Sequence, residues 1–376
     1  MVEPLHTRLE SLAARGVVVV DPRQTYLDEQ VDLGRICPGA VLHPGTRLSG
    51  ARIFIGPGAK IGTEGPASLV QSVIGPDAEI ASGYVEGAVL LRAAKIGGNG
   101  HVRPACLLEE EASTAHAVGL KHTILMSFVT LGSLINLCDA LLAGGTSRAD
   151  HTEVGSGFIH FNFTPWGKRG DKATSSLVGD VVHGVFLRQP RVFLGGLSGM
   201  VGPQKIGFGA LTVAGQVIRA PVPAGRIHGD VARRVDTAFR SDLGDWQGQD
   251  IARLNKDYIG QLVALRAWYE QVRLARIPAT PEHATDRIVI QEAMRVLDSC
   301  VDERVKRLNA FLEERGLTPL TVTSDAPLCP LDVTPDGRDH VDWVRGLNDA
   351  QIETGIAWLQ TVAQGVHSAA SRNFSS

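Results

Sequence analysis

Between residues 103 and 172 the chain gathers an unusual density of polar and ionisable side chains: Arg103, Lys121, His122, Ser133, Asn136, Cys138, Asp139, Arg148, His151, Glu153, His160, Asn162, Lys168, Arg169 and Lys172. Arg103 and Lys121 read either as ordinary surface charges or as a phosphate site, since an Arg fork matches phosphate oxygens and a Lys adds a point charge beside it, a pairing that suits a sugar phosphate or a nucleotide. Imidazole takes a proton near neutral pH. His160 is the first candidate for a general base and His151 the second; the other reading of either is a ring satisfied by a backbone carbonyl. His160 is two residues from Asn162, so an extended segment turns both side chains to one face, where Asn162 can place an acceptor or an oxyanion. Cys138 is a nucleophile only if its thiol is activated. Lys168, Arg169 and Lys172 form a basic run beside Trp166 that suits the phosphates of coenzyme A or a nucleotide, or plain solvent. Aromatic residues interleave with polar ones over residues 157–166, which holds the polar groups still. No metal is expected: His116 and His122 are six apart and fall on adjacent sides of a repeat rather than converging, and spacing identifies no third ligand.

These groups need a rigid support, and the sequence supplies one. Aliphatic residues recur every six positions in broken runs: Ile36, Leu42, Leu48; Ile96, Val102, Leu108; Met200, Ile206, Ile218. Gly and Pro follow closely at Ile55-Gly56-Pro57-Gly58, Ile61-Gly62, Ile74-Gly75-Pro76 and Val201-Gly202-Pro203, giving a tight corner after each short strand. Each six-residue side turns one branched residue inward, and three sides close a coil. One coil cannot bury its own face, so coils stack, roughly eight to ten of them over residues 36–220. The expected fold is mainly β, a left-handed parallel β-helix of hexapeptide repeats. It is interrupted between about residues 109 and 184, where the period blurs and loops leaving the solenoid are expected to build a site.

Residues 1–35 read as a lead-in, with a short helix over 5–15 and a strand over 17–20. From 221 to 376 the character turns helical. Residues 246–276 and 283–315 have helical spacing, for example Leu262, Leu265, Trp268 and Tyr269. Pro278 and Pro281 separate the two, and Gly316 suits the end of the second. A proline-rich loop over 318–340 leads to a last helix over 341–366. This region is expected to cap the last coil, cover an edge or hold a partner chain, with Trp246, Tyr258, Trp268 and Tyr269 in its core.

The 376 residues are 44% hydrophobic and 20% charged, enough to bury a substantial core. A formal net charge of −3 provides no general basic field, so neither nucleic acid nor a membrane surface is an expected partner. The N-terminus lacks the pattern of a signal peptide, and a cytoplasmic location is expected. Five cysteines never fall as Cys-x-x-Cys and read as reduced, mostly structural thiols.

Residues 17–219 resemble the acetyltransferase half of the bifunctional N-acetylglucosamine-1-phosphate uridyltransferase and glucosamine-1-phosphate acetyltransferase family, with its sugar-1-phosphate nucleotidyltransferase relatives. Val102-Arg103-Pro104 is similar to the family's Arg-Pro segment and Leu120-Lys121-His122 to its Met-Lys-Lys segment, whose Arg and Lys bind the sugar phosphate. The segment Gly132-Ser133-Leu134-Ile135-Asn136-Leu137-Cys138-Asp139 resembles Gly-His-Leu-Thr-Tyr-Leu-Gly-Asp, whose His is the general base. Ser133 stands at that His and Asn136 at the Tyr. Glu153-Val154-Gly155-Ser156-Gly157-Phe158-Ile159-His160-Phe161-Asn162 is similar to Asn-Ile-Gly-Ala-Gly-Thr-Ile-Thr-Cys-Asn, so Asn162 keeps the family's residue type and Glu153 does not. Lys172 lies in a stretch similar to the Lys-containing segment that follows. Nothing resembles the Gly-rich, basic nucleotide loop of the uridyltransferase half, and no pyrophosphorylase step is expected.

The resemblance implies acyl transfer from acetyl coenzyme A, or a related acyl-CoA, to an amine on a phosphorylated or nucleotide-linked sugar or another small molecule. Sites lie between the subunits of a homotrimer in that family. Because a serine hydroxyl cannot replace imidazole as base, a remodelled group transferase and a sugar-phosphate or nucleotide-sugar binding subunit that lost its base are the competing expectations.

Overall fold

The computed structural model describes residues 4–161, 173–229, 248–322 and 326–371. The hexads build a parallel β-solenoid. One ladder of eleven short strands runs from Val18–Val19 through Val41–Leu42, Lys60–Ile61 and Thr130–Leu131 to Ile227–His228, and forms the first side of the prism. A sixteen-stranded sheet forms the second and third sides. These sides are joined where Gly119–Leu125 and Asn136–Leu142 round the corner as continuous strands, with His122 and Asp139 at φ 46° and 59°.

The inward side chains are the aliphatics that define the period. Ile36, Leu42, Leu48, Ile96, Val102, Leu108, Met200, Ile206 and Ile218 are all buried in one continuous core. Coil stacking is tight enough to dictate residue size. A Cβ built on Gly155 would lie 2.4 Å from the backbone nitrogen of Gly196, so no larger residue fits that rung.

The ladder is longer than the hexads suggest, eleven rungs against eight to ten, because it begins at Val18 and ends at His228. The first coil turns Val17, Leu27 and Val31 inward, which are not six apart, so the period does not reveal it. The coils also continue through most of the stretch that reads as interrupted. Val102, Leu120 and Leu137 stack on successive rungs, but the second step is one residue shorter than the first, and this blurs the period. Among the described residues, what leaves the prism there is a small hairpin, Gly145–Ser147 with Asp150–His151, and the helical turn Val181–Gly184. The polar residues from Arg103 to Ser133 therefore sit on regular coils, not on loops.

Helix α1 (Leu5–Ala14) packs beside the first coil, ending before Gly16 at φ 85°. The short α2 (Val181–Gly184) is capped by Asp180, whose carboxylate accepts from the His183 backbone N–H. The C-terminal region comprises α3 (Gly248–Trp268), continued by a π-helical turn Tyr269–Leu274, then α4 (Ala284–Glu313), α5 (His340–Arg345) and α6 (Asp349–Ser371). The two long helices match the expected spans, whereas the last expected helix is two, broken around Gly346 and Leu347.

These helices cover the third side. Its outward residues Phe54, Val73, Val89, Leu107, Ile124, Leu141 and Leu177 are buried with Tyr258, Leu262, Leu265, Trp268, Val289 and Leu297 in a second core. Both alternating positions of the strands are apolar there, as expected for a sheet covered on two faces. Burial of each such side chain is worth about 1.5–3 kcal/mol. Trp246 lies outside the described residues.

A buried ionic cluster fixes the helices in place. Arg273 reaches Glu110 at 2.6 and 3.0 Å and lies 3.5 Å from Glu109, while the Tyr269 hydroxyl donates to Glu109 at 2.8 Å. Burial pushes Glu110 upward, but the Arg273 charge and hydrogen bonds outweigh it and hold its carboxyl down at about 2. Glu109, deeper still, is raised by burial. A cavity of about 470 Å³ beside the cluster, between the prism corner at Leu91 and the helical region at Arg276, is lined by arginines that are already paired.

Candidate functional site

The register of the second side brings the two predicted phosphate-binding cations together. Val102 pairs with Leu120 and Lys121 with Cys138, so Arg103, Lys121 and Cys138 occupy three successive rungs of one outward column. The Arg103 guanidinium spans Lys121 and reaches Cys138 Sγ at 3.5 Å. Lys121 is half-buried, and its side chain makes no hydrogen bond or ion pair among the described residues, which leaves its ammonium open to a ligand anion. Cys138 is not activated. Burial first, then the Asp139 charge, raises its thiol, and the nearby cations only partly oppose this.

Behind this column the helical region contributes a residue that sequence reading does not place. Arg304 of α4 reaches Asp139 Oδ1 at 2.9 Å, and His122 Nδ1 lies 3.2 Å from the same oxygen. Arg304 and Asp139 are both buried. The corner carrying Lys121 and Cys138 is thereby tied to α4.

His160, the first candidate base, is inside the prism. It stacks on Met200, in the inward column that also contains Leu120 and Leu137. Its Nδ1–H donates to the Cys138 carbonyl at 2.5 Å and its Nε2 accepts from Ser176 Oγ at 2.9 Å. Ser176 Oγ in turn accepts from the Gln204 backbone N–H. Burial, the largest influence, lowers the ring's affinity for a proton. Neither nitrogen is open to an acceptor amine, so the structure argues against His160 as base: it is the histidine satisfied by a backbone carbonyl. Register decides this, since His160 stacks on the inward Met200.

His151 also bonds a carbonyl, Arg148 O at 2.8 Å. It belongs to the hairpin at the corner where the third side meets the first, and Arg148 folds back onto the Glu111 and Phe128 carbonyls and Thr130 Oγ1. Ser133 is at the other end of the first-side rung. It is held by Ser156, five residues beyond His151 in the strand direction, or roughly 16 Å at the rise of an extended chain. The structure thus separates His151 from Ser133. Glu153 is exposed on the first side, paired between Thr130 and Phe193. Asn162 and Lys172, with Lys168 and Arg169, lie outside the described residues.

Ser133 and Asn136 flank the corner between the first and second sides. Asn136 is exposed, and its Oδ1 lies over Gly119, where an added Cβ would come within 3.1 Å. Ser133 Oγ lies 3.0 Å from His116 Nδ1. This contact is legible in the sequence only once a coil is counted as seventeen residues, the separation of the two. The six-residue distance to His122 hides it.

Among the described residues no group of three or more His, Cys, Asp or Glu side chains converges as a metal site, and no helix is long and apolar enough to cross a membrane. The cysteines are all free thiols, with Cys106 pushed up to about 12 by burial.

Stacked three-sided coils with hexad cores define a hexapeptide-repeat β-helix protein, here with helices laid along one side. Its sequence is similar to "Bifunctional protein GlmU" from several bacteria: that of Nocardia farcinica at 28% identity over 219 residues, 58% of this chain and 39% of the relative; that of Pelobacter propionicus at 30% over 217 residues, 57% and 41%; and that of Clavibacter sepedonicus at 29% over 217 residues, 58% and 38%. The chain spans about two fifths of the length of these curated relatives. No family model matches it. The resemblance seen in the motifs therefore extends over more than half of the chain.

Proposed function

We propose that this protein is an acyltransferase that moves an acetyl or related acyl group from coenzyme A to an amine on a phosphorylated or nucleotide-linked sugar or similar small molecule. The observation that carries this reading is the column of Arg103 and Lys121 on adjacent rungs of a rigid sheet, with the Lys121 ammonium unpaired among the described residues. Two such cations suit a phosphate: the guanidinium fork orients it and the ammonium adds charge. Similarity to the bifunctional GlmU proteins supports the class, and the reading concerns acyl transfer alone.

In this scheme Arg103 and Lys121 hold the acceptor's phosphate. Asn136, exposed over Gly119, stands between that phosphate and the Ser133 corner, where it can meet sugar hydroxyls. Acyl-CoA supplies the thioester carbonyl. The assembly is a homotrimer in the cytoplasm, with no nucleic acid or membrane partner and no metal.

The loss of imidazole at position 133 and the burial of His160 favour one other reading, a sugar-phosphate binding subunit without catalysis. Isothermal titration with acetyl-CoA, glucosamine 1-phosphate and a nucleotide sugar separates the two. Binding of acetyl-CoA supports acyl transfer; binding of a sugar ligand alone supports the binding subunit and refutes the enzyme.

A further inference from the structure

We propose that the general base of this reaction is His116, one coil below Ser133, with Ser133 as the residue that positions its ring. The inference rests on the acyl-transfer reading and goes beyond it by naming a catalytic group that the sequence motifs do not mark.

The corner builds the pair rigidly. Ala117 and Leu134 adopt φ 56° and 57°, the same tight turn on consecutive coils, and the Leu134 N–H donates to the His116 carbonyl at 3.1 Å. His116 and Ser133 are thus stacked neighbours, and their side chains meet at 3.0 Å. Ser133 is itself fixed, because its N–H donates to Ser156 Oγ at 3.0 Å. The His116 ring is exposed. The hydrogen bond made by one ring nitrogen decides which nitrogen carries the proton. With Nδ1–H donating to Ser133 Oγ, Nε2 keeps its lone pair for an incoming proton. A charged group at this corner is Glu64, whose carboxylate occupies the space above Gly98: a Cβ built there would lie 2.6 Å from Glu64 Oε2. Gly98 is the residue stacked beneath His116, since the Ala117 N–H donates to its carbonyl.

The corner also opens toward the cation column. Lys121 lies five residues beyond His116 along the same coil, on the other side of the turn at Ala117. An acceptor whose phosphate rests on Arg103 and Lys121 directs its amine toward the corner. The neutral amine attacks the thioester carbonyl, forming the C–N bond, and its proton passes to His116 Nε2. The C–S bond then breaks, and the leaving thiolate recovers that proton, giving amide and coenzyme A thiol.

The test is the pH profile of thiol release from acetyl-CoA with glucosamine 1-phosphate as acceptor, for the full chain and for H116Q, S133A and S133T, with circular dichroism as the check on folding. Wild type is expected to show an ascending kcat/KM limb between about pH 5 and 8, where imidazole changes charge. H116Q is expected to lose about 10²–10⁴-fold in kcat, with KM for the sugar phosphate little changed and the limb gone. S133A loses less but moves the limb, and S133T restores it. H116Q that keeps both the rate and the limb overturns the assignment while acyl transfer stands. A wild type that neither binds acetyl-CoA nor releases thiol overturns both.

Discussion

Replacing Arg273 with Met removes the cation that holds two buried carboxylates where the helical region meets the prism. A carboxyl brought from its ordinary 4.5 to about 2 is stabilised by about 3 kcal/mol in the folded state. Removing one partner of a buried pair costs about 3–5 kcal/mol, which agrees. At about 2–4 °C per kcal/mol, Tm should fall by about 6–12 °C at pH 7. The pH dependence provides a second check. Glu110, depressed in the wild type, contributes its stability at every pH above the unfolded carboxyl's 4.5 and loses it as pH falls through about 2. In Arg273→Met, Glu109 and Glu110 stay buried without the cation, so protonating them relieves the folded state. His340 lies on the same cluster and is held neutral by burial first and the Arg273 charge second; once Arg273 is gone it takes a proton more readily. Both effects act in one direction, so the Tm gap between wild type and variant should narrow from pH 7 to pH 4. Differential scanning calorimetry across that range decides it. A variant within a degree of wild type at pH 7, or a gap that does not change with pH, refutes the role given to this cluster.

Three further outcomes are expected. Lys121→Ala and Arg103→Ala should each weaken glucosamine 1-phosphate by about 10–100-fold in isothermal titration, the value of a charge-assisted hydrogen bond, with Tm unchanged. His160→Leu, which matches Leu137 in the same inward column, should leave kcat within a few-fold of wild type, yet lower unfolding stability in urea by about 1–3 kcal/mol because the Cys138 carbonyl and Ser176 hydroxyl lose their partner. Gly155→Ala should destabilise the solenoid by about 1–3 kcal/mol in the same assay, since its Cβ would meet the Gly196 nitrogen at 2.4 Å.

The prism was legible because its inward column is chemically simple: Ile36, Leu42 and Leu48 repeat in phase, and Gly-Pro pairs mark the corners. The phase shifts where a coil is one residue shorter, between Leu120 and Leu137, and shifts again across the hairpin before His160, so the six-residue period does not mark His160 as an inward residue. Arg103 and Lys121 were legible because their coil keeps its full length, so their stacking follows from the period. The His116 contact with Ser133 and the Arg304 pair with Asp139 were not. The first depends on which residues stack across a coil of seventeen, and the second joins a solenoid residue to one on a helix far along the chain, a pairing that no local pattern encodes. The helices were visible from their spacing, but their docking on the third side was signalled only by strands apolar at both alternating positions, such as Ala88–Leu90 and Cys106–Leu108.

The most direct test of acyl transfer is to follow the label from acetyl-CoA carrying a labelled acetyl group, incubated with the protein and glucosamine 1-phosphate, by mass spectrometry of the sugar phosphate. The account predicts label bound to the sugar nitrogen, dependent on Lys121 and Arg103. Sugar phosphate recovered unlabelled, with the acetyl group still in the thioester, contradicts it.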